Sequence, residues 1–198
     1  MIRPGGGGEH DAGGIAFRHD PDSFSRSLPR RPRTALPYDP AALPAGMAVM
    51  LDTSVYIERL RGRLPEAIIA CIDARPVLHS AVACAELAIS AGLLDPAHPS
   101  TSGNRGAIAR LLGTIASVDI VAPEMAAWIE AGMIAGILAR TQHGAGDGVR
   151  RRLLNDALMF LDARARGAAL VSMDRTDMDL LLRFCPDATV LLFAPDAG

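Results

Sequence analysis

Four carboxylates interrupt stretches of this sequence that are otherwise apolar. Asp52 ends the run "AVML". Glu86 lies inside "ACAELAIS". Asp156 lies inside "LLNDALMFLDA". Asp174 ends "ALVSMD". Carboxylates crowded together repel one another, and keeping them ionised near neutral pH requires a cation. No His or Cys accompanies the four. An oxygen-only set suits a hard ion such as Mg²⁺ or Mn²⁺ and not Zn²⁺. Such an ion acidifies water and offsets charge developing on a phosphodiester. Each acid also has a structural reading. Asp52 can cap a helix, and Glu86 can lie on a solvent face. Asp156 can face a helix dipole with Asn155 as the cap. Asp174 can open a turn.

The elements around them decide whether the acids can meet. From residue 47 onward, strand and helix patterns alternate. Strands are expected at 48–52, 76–80, "VDIVAP", "AALVSMD" and "ATVLLF". Helices are expected at 54–60, 65–74, 81–94, 105–117, 124–142, 150–166 and 177–184, with "DPAHPSTSGN" a loop and "HGAGDG" a break. Such alternation predicts an α/β domain with a mainly parallel sheet. Ligands of open parallel sheets bind beyond the carboxyl ends of the strands. Two of the acids end strands, and two lie on helices that follow loops, so all four can converge on that edge.

Composition narrows the chemistry. The chain has 198 residues, 49% hydrophobic and 21% charged, with a net charge of −2. That describes one domain with a full core and no global basic signature for nucleic acid. All 20 basic residues are arginine. A Walker A loop, a pyridoxal Schiff base and a kinase each need a lysine, so all three are excluded. Cys71, Cys84 and Cys185 are odd in number, lack CxxC spacing and sit in apolar contexts. They read as reduced core residues of a cytoplasmic protein. No apolar run approaches the ~18 residues of a membrane span.

Residues 1–46 differ from the rest. They hold half of the chain's 14 prolines and few branched apolar residues. This segment is expected to be disordered or extended, with "RRPR" as a solvated arm. The domain proper is 47–198. Met47 stands directly before the first strand and reads as a candidate native start.

Three segments, "VMLDTSVYIERL", "SAVACAELAISAG" and "LLNDALMFLDARARGAALVSMDRTDM", resemble the PIN-domain family. More narrowly, they are similar to the VapC-type ribonuclease toxins of type II toxin–antitoxin modules. The resemblance spans about residues 47–194. It implies a three-layer α/β/α domain around a central mainly parallel sheet. It also implies endoribonuclease activity with Mg²⁺, or Mn²⁺ in its place. Asp52, Glu86, Asp156 and Asp174 match the family's acidic positions, and Asp177 matches the acid three residues on. Asp52 and Asp156 are then the primary metal ligands, with Thr53 or Ser54 orienting Asp52 or a water. A cognate antitoxin and a homodimer are further implications. The last motif departs from the family, with Met173 where a basic residue is common and Met178 where an aromatic is.

An acidic site must still attract RNA. Arg150, Arg151 and Arg152 directly precede Asp156, and Arg59, Arg61 and Arg63 form a second cluster. Either can pair with phosphates, or lie on a solvated or salt-bridged face. Two other metal-dependent classes fail on the residues. A haloacid dehalogenase phosphatase needs a second Asp at the position of Ser54, and it and a receiver domain both need a lysine. A catalytically inactive PIN-like module that binds RNA or a protein partner is the remaining alternative. A third is an assembly protein using the helix that carries Trp128, Met133 and Ile137.

Overall fold

The run Val49–Leu51 forms β1, and all three residues are buried. Successive residues of a strand point to opposite faces, so both faces of β1 are covered. That is the signature of a central strand in a parallel sheet. In this computed structural model, which describes residues 18–143 and 147–195, five strands form one sheet in the order β3-β2-β1-β4-β5. The others are β2 (Val77–Ser80), β3 (Ile120–Val121), β4 (Ala169–Ser172) and β5 (Val190–Leu192). Every pairing is parallel. The helices are α1 (Thr53–Leu60), α2 (Glu66–Asp73), α3 (Ala81–Gly92), α4 (Thr101–Thr114), α5 (Met125–Leu138), α6 (Asp147–Ala165) and α7 (Arg175–Phe184). The domain is α/β with helices over both faces of the sheet, as expected. No described helix is long and apolar enough to cross a membrane.

Chain order reverses at β1. The chain moves out to β2 on one side and later returns to β4 on the other. The carboxyl edge between β1 and β4 is therefore the switch point, where open sheets leave a crevice. Asp52 follows β1 there, and Asp174 follows β4. The delivery into β4 is tightly built. Gly167, at φ 64°, takes the left-handed conformation after α6. Gly167 N donates to Arg164 O at 3.1 Å and Ala168 N to Ala163 O at 2.9 Å, a Schellman closure that glycine permits.

Three elements differ from the sequence expectation. Helix α4 begins at Thr101, inside the expected loop. Buried Thr101 donates its hydroxyl to Asp95 O, and Ile108 packs in the core, so tertiary contacts outweigh the weak propensity of "TSGN". Helix α6 begins at Asp147, and α7 at Arg175. In α5 the apolar stripe divides. Ile134, Ile137 and Leu138 are buried, whereas Trp128 is half exposed.

Residues 18–46 take the extended course, with short 3-10 turns at Pro21–Ser23, Arg33–Ala35 and Pro40–Ala42. They lie on the domain. Leu36 and Leu43 are buried in its core, and Phe24 stacks on Phe184 at 4.6 Å. Leu192 N donates to Pro37 O at 2.7 Å. The "RRPR" arginines are engaged and do not form a solvated arm. Arg31 pairs with buried Asp179, Arg30 donates to Thr176 O, and Arg33 lies over the Tyr38 ring at 4.8 Å. Residues 1–17 of the expected tail lie outside the described residues.

Candidate metal centre

Asp52 occupies the position before α1 but makes no side-chain cap there. Its N–H donates to Val171 O at 3.0 Å, which ties the end of β1 to β4. Its carboxylate accepts from Ser54 Oγ at 2.7 Å and Ser172 Oγ at 2.6 Å. The same two serine oxygens accept from the turn after β4: Met173 N reaches Ser54 Oγ and Asp174 N reaches Ser172 Oγ, both at 3.0 Å. Two hydroxyls thus lock the ends of β1 and β4 around a buried acid. Burial pushes the Asp52 pKa up and Glu86 adds to this, against the pull of the serine hydrogen bonds.

Asp156 projects from the interior of α6, not its first turn, because the helix starts nine residues earlier. Neither the dipole reading nor an Asn155 cap applies. Asp156 is 8% exposed, and its Oδ2 is buried with no hydrogen-bond partner among the described residues. Its pKa stands well above the usual carboxylate value. Burial is the main cause, followed by the charges of Asp52, Asp174, Asp177 and Glu86. A buried acid with an orphaned oxygen costs stability unless something binds it.

Asp174 does open a helix. It is the N-cap of α7, accepting from Asp177 N at 2.9 Å. One turn on, Asp177 is fully buried. Asp156, Asp174 and Asp177 offer oxygens that all lie within 4.8 Å of one another. Asp177, expected only in support, therefore stands inside the closest group.

Glu86 sits beside this group rather than in it. It is half-buried on α3, accepting from Thr53 Oγ1 at 2.5 Å and Asn155 Nδ2 at 2.8 Å. Both of its oxygens are held, so the solvent-face reading fails. Ser172 and Asn155 were not legible as site residues. Ser172 meets Asp52 only through the β1–β4 register, which pairs Leu51 with Val171.

No protein-family model matches this sequence, and no curated protein does. Solved structures do match. A chain from VapBC2 of Rickettsia felis, bound to a DNA fragment from their promoter, is 16% identical over 75% of this chain and 100% of its own, with a TM-score of 0.51. VapBC-1 from nontypeable Haemophilus influenzae gives 19%, 74%, 98% and 0.50. DNA-bound VapBC from Salmonella typhimurium gives 21%, 73%, 96% and 0.50. The chain has the PIN-domain fold. Within that fold the acids occupy the ends of β1 and β4, the interior of α6 and one face of α3.

The arginines divide. A cleft of about 510 Å³ beside the acidic group is lined by Thr53, Glu86, Asn155, Arg151 and Arg152, among others. Arg152 also reaches Asp177 Oδ2 at 3.3 Å. Arg150 is exposed and does not line this cleft. In the other cluster, Arg61 and Arg63 pair with buried Glu58 at 3.0 and 2.8 Å, which is the salt-bridged alternative.

Proposed function

We propose that this chain is a Mg²⁺-dependent endoribonuclease and the toxin component of a toxin–antitoxin module, with Mn²⁺ as an alternative ion. The observation that carries the reading is the convergence of Asp156, Asp174 and Asp177 at the β1–β4 edge, with Asp156 Oδ2 buried and lacking a hydrogen-bond partner among the described residues. An all-oxygen donor set with an orphaned buried oxygen fits a hard divalent cation. These three acids would hold the ion, with Asp52 and Glu86 completing the site directly or through water. Such an ion supplies an acidified water and offsets charge developing on the phosphate. Ser54 and Ser172 keep Asp52 in place, and Thr53 and Asn155 keep Glu86 in place. Arg151 and Arg152 bring phosphates to the cleft. The likeness to VapBC chains supports the toxin–antitoxin part of the reading. A cognate antitoxin, a homodimer and a cytoplasmic location belong to it.

Incubating the full chain with RNA in Mg²⁺ tests the proposal. Cleavage is expected. Binding without cleavage, in Mg²⁺ and in Mn²⁺, would leave a catalytically inactive PIN-like module. The arginines separate binding from chemistry. Arg151→Ala should raise KM and flatten the log–log salt dependence by about 0.7 for one lost contact to single-stranded RNA. Its kcat should change little, because such a contact serves ground and transition states alike. Replacing Arg150, Arg151 and Arg152 together should also lower kcat, since Arg152 touches Asp177. An unchanged salt slope would move the RNA path away from this cluster.

A further inference from the structure

We propose that His19, Glu130 and Cys185 form a second metal site, one for Zn²⁺, which fastens the N-terminal segment to the end of α7. His19 Nε2 lies 3.2 Å from Glu130 Oε1, and Cys185 Sγ lies 3.6 Å from the same oxygen. One donor atom from each residue lies within 4.8 Å of the other two. Tetrahedral zinc with its usual bond lengths sets ligand atoms roughly 3.3–3.6 Å apart. The two separations are already close to that spacing. Nitrogen, carboxylate oxygen and sulfur together select zinc over magnesium, the opposite preference from the all-oxygen set at the β1–β4 edge.

Three separate parts of the fold supply the donors, and each is held by packing. His19 comes from the segment before the sheet, and its ring meets Phe184 edge-on at 5.2 Å. Cys185 follows Phe184 at the end of α7 and is buried. Glu130 comes from α5. The side chains of His19 and Glu130 are only 12% and 16% exposed, so the donors are shielded from bulk water. Two arginines are near, and neither blocks the site. Arg18 reaches Glu130 Oε2 at 3.7 Å from a side chain that is 55% exposed and can swing away. Arg164 is engaged by Asp187 through two bonds, at 2.9 and 2.7 Å. A cavity of about 340 Å³ reaches Glu130 from the side of Arg18 and Arg164, and a water would be the fourth ligand of a three-residue zinc arrangement. The bland alternative is a hydrogen-bonded trio with no ion.

Cobalt distinguishes the two. The full-length chain, stripped of metal with a chelator, is titrated with Co²⁺ and then Zn²⁺. A thiolate-to-cobalt charge-transfer band in the near ultraviolet is expected to saturate at one equivalent and to disappear as Zn²⁺ replaces Co²⁺. The acids at the sheet edge have no sulfur and cannot produce this band. Cys185→Ser should abolish it, and Cys84→Ser should leave it intact. His19→Ala should weaken the binding that gives the band by about tenfold or more. No band in the wild-type chain overturns the proposal, as does a band that survives Cys185→Ser. If Cys185→Ser fails to fold, His19→Ala decides: unchanged affinity in that variant is equally fatal.

Discussion

Asp156→Asn should abolish RNA cleavage and make the metal-free protein more stable. Asparagine keeps the shape of the side chain but removes the charge that draws a divalent ion into the site. If the ion carries the chemistry, the rate should fall by at least about 10³-fold, or roughly 4 kcal/mol of lost transition-state stabilisation. The gain in stability has a definite pH window. The carboxyl of Asp156 is raised well above its ordinary value of 3.8 in the folded chain, so the folded state keeps its proton longer than the unfolded state does. Between the unfolded and folded values the folded chain binds more protons, and wild-type stability falls as pH rises. Above both values the penalty is complete; below the unfolded value it is absent. The melting temperature of Asp156→Asn should therefore exceed that of wild type near neutral pH. The difference should vanish on acidification below the ordinary value. Thermal melts across this range, with chelator present, measure it. A variant less stable at every pH would make Asp156 a structural residue, and a variant that cleaves RNA normally would remove it from the chemistry.

Deleting residues 1–46, to begin the chain at Met47, should destabilise the domain. Leu36 and Leu43 are buried in the core, and a buried leucine contributes about 1.5–3 kcal/mol. Arg31 supplies both a backbone and a guanidinium donor to Asp179, and Pro37 O closes the free side of β5 through Leu192 N. The summed loss should exceed ~3 kcal/mol. For a chain of this size that lowers the melting temperature by roughly 6–12 °C. A truncated chain that melts with the full one would return this segment to the role of a solvated appendage. Leu36→Ala in the full chain is the milder companion, expected to lose part of the same stability.

The site was legible in the sequence where acids end strands. A run of buried apolar residues stops at Asp52 and again at Asp174, and a chain with that pattern has few places to put either acid except the carboxyl edge. Asp156 was harder to place. The start of α6 carries Asp147, Gly148 and three arginines, which give little helical periodicity, so the helix seemed to begin later and Asp156 seemed to lie near its start. Asp177 entered only as the acid three residues after Asp174, and α7 was expected to start at that residue. With α7 beginning at Arg175, Asp177 falls one turn below the cap and points back toward Asp156. Ser172 depends on strand register, which no single segment encodes. The packing of residues 18–46 was hidden for a different reason. Phe24, Leu36 and Leu43 stand singly among prolines and polar residues, with no period to mark a buried face, and each finds its place only on the finished domain.

The proposed chemistry depends on a divalent ion held by Asp156, Asp174 and Asp177. Anomalous diffraction from crystals of the full chain grown in Mn²⁺ tests this most directly. A manganese peak bounded by oxygens of these three carboxylates is expected at the β1–β4 edge, absent from crystals of Asp156→Asn. Manganese bound elsewhere, or no peak there in a preparation that cleaves RNA in Mn²⁺, would contradict it.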